Sequence, residues 1–95
     1  MTFDFMSGQN SFVCVFREED ELLHHIVYSI DLKETVSLAD KTWRLVYIRQ
    51  FGNVVDGLAH RLLLLQLSPE SVREIIRNFN PKIKDLRPLL MMLAE

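Results

Sequence analysis

Little in this chain is suited to covalent chemistry. Among 95 residues there is one cysteine, Cys14, so no internal disulfide can staple the fold. A thiol inside the apolar run 12–16 is expected to be buried and inert. That usage fits a cytoplasmic, reducing, intracellular setting. Three glycines and three prolines are too few for a collagenous or low-complexity chain. No apolar run reaches the ~20 residues of a membrane span: the longest window, 58–67, is broken by His60, Arg61 and Gln66. Asp4 and the lack of a basic stretch at the start argue against a signal peptide.

Charge of one sign is missing too. Eleven Lys and Arg stand against thirteen Asp and Glu, a net charge of −2. Residues 1–50 hold five basic and eight acidic side chains, and residues 51–95 hold six and five. Neither half carries the basic footprint that phosphate-backbone binding requires, so nucleic acid is not the expected partner. No glycine-rich phosphate loop and no nucleophile elbow is present. His24 and His25 are adjacent, pointing ~100° apart on a helix, and His60 is remote in sequence, which is poor spacing for a metal. The acidic run Glu18, Glu19, Asp20 and Glu21 lacks the spaced oxygens and the glycine of a calcium loop. The expectation is no catalytic residue, no cofactor and no metal, with the acids at 18–21 tuning the choice of a basic partner.

Apolar residues are abundant, at 48% of the chain. A chain of this length builds one core, hence one domain over residues 1–95. Phe3 and Phe5 flank Asp4, and Phe12, Val13, Cys14, Val15 and Phe16 follow the turn-forming Ser7-Gly8-Gln9-Asn10, predicting a β-hairpin over 2–17. The acids at 18–21 precede Leu22, Leu23, Ile26, Val27 and Ile30, a helical spacing with acids at the positive end of the helix dipole. Ile26, Tyr28, Ile30 and Leu32 also alternate, so a strand competes there. The polar stretch 31–40 reads as turn. Trp43, Leu45 and Tyr47 alternate with Arg44, Val46 and Ile48, predicting a strand near 42–50.

After Phe51-Gly52-Asn53 the period changes. Val55, Leu58, Leu62 and Leu65 fall on one helical face, widened by Leu63 and Leu64, and this face is expected to point into the core. Ser68-Pro69, with Glu70 in the same turn, starts the next helix, whose apolar face is Val72, Ile75, Ile76 and Phe79. Asn80-Pro81 repeats the device for a last helix carrying Ile83, Leu86, Leu90 and Leu93 inward, with a kink or restart near Arg87 because of Pro88.

Two local patterns bear on function. Leu86-Arg87-Pro88-Leu89-Leu90 matches the L-x-x-L-L spacing by which a helix docks into an apolar groove, and Met91 and Met92 add adaptable thioethers. Trp43, Tyr47 and Phe51 are expected to share one strand face, where bases could stack beside Arg44 and Arg49. The run Gly52-Asn53-Val54-Val55-Asp56-Gly57-Leu58-Ala59, preceded by a strand, resembles the last strand-to-helix step of RNase H-like domains. That resemblance would give Asp56 the role of a metal-binding carboxylate. It spans about a dozen residues, has Val55 where Ala is usual, and lacks the companion carboxylates that two-metal chemistry uses.

The expectation is therefore an α+β domain: a small antiparallel sheet followed by two or three helices. A mostly helical bundle with an N-terminal hairpin is the alternative. The expected function is a protein–protein interaction protein, a regulatory subunit, adaptor or inhibitor, of a size that also suits a viral or phage accessory factor. Leu86, Leu89, Leu90, Met91 and Leu93 are the candidate anchors, and self-association uses the same helices. A nucleic-acid-associated protein, such as a degenerate RNase H-like fragment, is the alternative function.

Overall fold

The computed structural model describes residues 10–18 and 24–93. Among these residues three antiparallel strands, β1 (Ser11–Glu18), β2 (His24–Ser29) and β3 (Trp43–Phe51), form one sheet in the order β2-β1-β3. Four helices accompany them among the described residues: α1 (Leu32–Leu38), α2 (Val54–Gln66), α3 (Pro69–Phe79) and α4 (Arg87–Leu93). The α+β class holds, with the sheet followed by the predicted group of helices. The expected first strand of the 2–17 hairpin, with Phe3 and Phe5, lies outside the described residues.

Both sheet faces are covered, and β1 is consequently buried on both sides. Val13 and Val15 join Val46, Tyr47, Leu64, Val72 and Ile76 beneath α2 and α3. Cys14 and Phe16 join Leu45 and Val36 on the other face, closed by α1 and α4. Burial pushes the Cys14 thiol up to about 12, which leaves it protonated and unreactive.

Residues 24–29 are a strand, not a helix. Val15 opposes Ile26 and Val13 opposes Tyr28 across the ladder, so pairing with an apolar central strand outweighs the helical spacing. The polar stretch 31–40 in turn holds a helix, α1. Asp31 caps it by accepting from the Glu34 amide at 3.1 Å, and Val36 is its buried residue. The signal was present as Asp31 with Glu34 three residues on, an N-cap followed by an acid in the first turn.

A bulge decides which side chains of β3 meet which layer. Tyr47 pairs with Val15, but Phe16 pairs with Leu45, leaving Val46 as the extra residue. Val46 and Tyr47 then both face α2 and α3, while Leu45 and Trp43 face α1 and α4. The expected single face of Trp43, Tyr47 and Phe51 is thereby split, as one inserted residue reverses the alternation on either side of it.

Asn80-Pro81 does not start a helix. Asn80 ends α3, and its buried amide donates to the Val46 carbonyl at 3.2 Å and the Lys84 carbonyl at 2.8 Å, while accepting from the Lys84 amide at 3.1 Å. Ile83 follows with φ of 49°, a left-handed conformation that is costly for a β-branched residue. The helix starts only at Arg87, with Pro88 in its first turn where no amide is missed. Arg87 fixes that start to the far layer: its guanidinium donates to the carbonyls of Val36, Ala39, Asp40 and Trp43 at 2.6–3.1 Å. It thus satisfies the free carbonyls at the end of α1.

Candidate functional site

Helix α2 begins with a reciprocal cap. The Asn53 side chain accepts from the Asp56 amide at 2.8 Å and donates to the Asp56 carboxylate at 2.9 Å. Ser11 Oγ on β1 donates to the Asn53 carbonyl at 2.7 Å, tying the helix start to the sheet. One turn on, Gly57 is buried against β1, where a Cβ would overlap Ser11 Oγ and come within 3.0 Å of Tyr28 Cε1. Asp56 is therefore an exposed capping residue. Among the described residues no group of three His, Cys, Asp or Glu could hold a metal ion.

The close approach at Gly57 sets the rotation of the whole helix. Three, four and seven residues further on, His60, Arg61 and Leu64 lie on the same side and face the sheet. His60 Nε2 and the Tyr47 hydroxyl share a hydrogen bond at 3.0 Å, and Arg61 Nε donates to the Ile26 carbonyl at 3.2 Å. Leu64 is 1% exposed. Burial, and secondarily the charge of Arg49, lowers the pKa of His60.

The expected core face of α2 is consequently turned to solvent. Val55, Leu58, Leu62, Leu63 and Leu65 are all exposed, Leu62 at 57% and Leu65 at 51%. The helix is inverted: His60 and Arg61 meet the sheet beside Leu64, and its other four leucines meet water. The five expose on the order of 500 Å² of apolar surface, near the upper end of the largest patch that ordinary monomers carry. Beside the stripe, between α2 and α3, His24, Ile26, Leu65, Leu67 and Pro69 border a shallow groove of about 200 Å³.

The anchors expected on the last helix are mostly consumed by the fold. Leu86, Leu90 and Met91 pack against the core cluster formed by Cys14, Phe16, Val36 and Leu45. Leu89 is 52% exposed, and Leu93 is the last residue of α4. Of the acidic run, Glu18 ends β1 and accepts from Trp43 Nε1 at 3.2 Å, with His25 Nε2 at 3.3 Å. Glu19, Asp20 and Glu21 lie outside the described residues. The structure thus brings Val55, Leu58, Leu62, Leu63 and Leu65 together at the surface and withdraws Leu86, Leu90 and Met91 from it, while Leu89 stays exposed.

One trace of the close approach stands in the sequence, although it does not fix the rotation of the helix. Gly57 and Leu64 are seven residues apart, and a small residue in a helix interior marks a close approach. None of the described helices is long and apolar enough to cross a membrane. No known protein family, curated protein or solved structure matches the chain.

Proposed function

We propose that this chain is a protein–protein interaction protein, a regulatory subunit, adaptor or inhibitor, that works through the apolar face of α2 and pairs there with a second copy of itself. The inverted α2 is the observation that carries the reading. Val55, Leu58, Leu62 and Leu65 recur at intervals of three, four and three, the spacing of a coiled-coil seam, which another helix of similar pattern fits. A second α2 supplies that pattern. The apolar area also suits a homodimer, whose interface is about 65% apolar on ~800 Å² per partner, or on the order of 500 Å².

Light scattering over a concentration series, at low and high salt, tests this. The wild-type chain should form a dimer that salt does not disperse, since its contacts are apolar. Leu62→Asp should yield a folded monomer, and Leu89→Asp should remain dimeric. A wild-type chain that stays monomeric at every concentration, or a Leu62→Asp dimer, would overturn self-association through α2.

A further inference from the structure

At the opposite end of the sheet from the Gly57 contact, the layer beneath α3 gathers cations. Arg17 ends its run on β1, His24 begins β2 directly across from it, and Arg73 and Arg77 sit one turn apart on α3. These four side chains line a partly enclosed cavity of about 50 Å³ with Val46 and Ile76 among its walls. A water needs ~10–15 Å³ on this measure, so the space admits a group the size of a tetrahedral oxyanion.

No ion pair among the described residues neutralises this cluster, and Glu70 and Glu74, one helical turn before Arg73 and Arg77, make none with them. Glu18, the nearest acid in sequence to Arg17, is turned to the other sheet face, where it meets Trp43 and His25. No described carboxylate forms an ion pair with Arg17, Arg73 or Arg77. Arg17 Nε is buried without a hydrogen-bond partner, as are His25 Nε2 and the Tyr28 hydroxyl elsewhere, and a water or ion in the cavity would satisfy it. His24 registers the field: burial first, then the positive charge of Arg17 and Arg73, lowers its pKa.

We infer that this cavity binds a phosphate-type oxyanion, held by Arg17, Arg73 and Arg77 with His24 at its edge. Guanidinium forks match the paired oxygens of a phosphoryl group, and charge-assisted hydrogen bonds are the strong ones. Arg17 supplies the fixed donor, locked by the sheet, and the two helix arginines close over the ligand. The inference does not depend on α2, whose leucines lie on other residues and another surface.

The test uses the full chain with inorganic phosphate and, separately, phenyl phosphate, at constant ionic strength in chloride. Binding is read from the NMR titration of the His24 ring and by calorimetry. Phosphate should bind and raise the His24 pKa, and Arg73→Gln and Arg77→Gln should each weaken binding about tenfold or more. Arg49→Gln, remote on β3, is the control that should leave affinity unchanged. Tighter binding of phenyl phosphate assigns the ligand to organic monoesters, and tighter inorganic phosphate assigns it to the free ion. No binding at tens of millimolar, or equal binding by wild type, Arg73→Gln and Arg77→Gln, would overturn the site. So would binding that emerges only once Glu19→Gln, Asp20→Asn and Glu21→Gln are combined, because the arginines would then serve the chain's own acids.

Discussion

Helices α2 and α3 lie side by side on one face of the same sheet, yet they are oriented by opposite rules. In α3 the amphipathic pattern is obeyed at Val72 and Ile76, which are buried, and at Glu70, Glu74 and Asn78, which are exposed; of the expected apolar face only Phe79, at the helix end, is turned half to solvent. Helix α2 has apolar residues almost all round, so hydrophobicity barely distinguishes one rotation from another. Local fit then decides. The absence of a side chain at Gly57, the Ser11–Asn53 tie and the Tyr47–His60 and Arg61–Ile26 hydrogen bonds all select one rotation, and it leaves every leucine but Leu64 outside. A helix with one apolar stripe is oriented by its own sequence, whereas a helix with surplus apolar surface is oriented by its neighbours.

The largest expected effect separates adjacent faces of α2. Leu64→Asp should leave no cooperatively folded protein, because it buries an unpaired charge. Leu62→Asp, on the exposed stripe, should keep the stability of its own monomer within about 0.5 kcal/mol of the wild-type monomer. Circular-dichroism melts of both variants, at a concentration where neither associates, check this. If the two results are exchanged, α2 presents Leu62 and not Leu64 to the sheet.

A smaller effect tests the cause of that rotation. Alanine normally stabilises a helix interior relative to glycine by roughly 0.5–1 kcal/mol. At Gly57 the added methyl collides with Ser11 and Tyr28, so Gly57→Ala should instead destabilise by about 1–3 kcal/mol. Urea denaturation gives the sign directly. A stabilised Gly57→Ala would mean that α2 does not approach β1 closely and that the contact at Gly57 does not set its rotation.

The smallest effect concerns the polar side of α2. The unfolded chain protonates His60 near pH 6.5, while the folded chain, in which burial and Arg49 lower its pKa, protonates it only at lower pH. His24 shifts in the same direction. Stability should therefore be complete above about pH 6.5 and decline as the pH falls through and below that value, since the unfolded state then binds more protons. Melting temperatures at pH 7.5 and 5.5 measure the decline, and His60→Gln should reduce it. An undiminished decline in His60→Gln would show that the histidine facing Tyr47 does not couple to folding. No counterpart is expected from α3, which has no histidine.

The comparison also marks where the sequence could be read. Ser68-Pro69 followed by Val72 and Ile76 specified α3 almost completely, through a cap, a proline and one apolar stripe that agree with one another. The strand near 42–50 was legible from its β-branched and aromatic residues, but the sorting of its side chains was not, because the bulge at Val46 leaves no compositional mark. The helix expected at 22–30 gives way to a strand over the described residues 24–29, where two periodicities coincide: Ile26, Val27 and Ile30 satisfy a helix, and Ile26 and Tyr28 satisfy a strand. Leu86, Leu90 and Met91 carried a docking pattern that the fold uses internally. The arginine cavity was invisible for a simpler reason, since its residues are drawn from positions 17 to 77 and meet only when α3 lies across the sheet.

By itself the sequence determined the class of fold, the sites of α2 and α3, and the burial of an inert Cys14, because these follow from local pattern and from the total of apolar residues. Only the tertiary structure decided which side of α2 is surface, which leucines of α4 are spent, and which cations share a cavity. Those outcomes depend on contacts between distant residues, and where the local preferences are degenerate, as along the leucines of α2, the fit to the neighbouring strand breaks the tie.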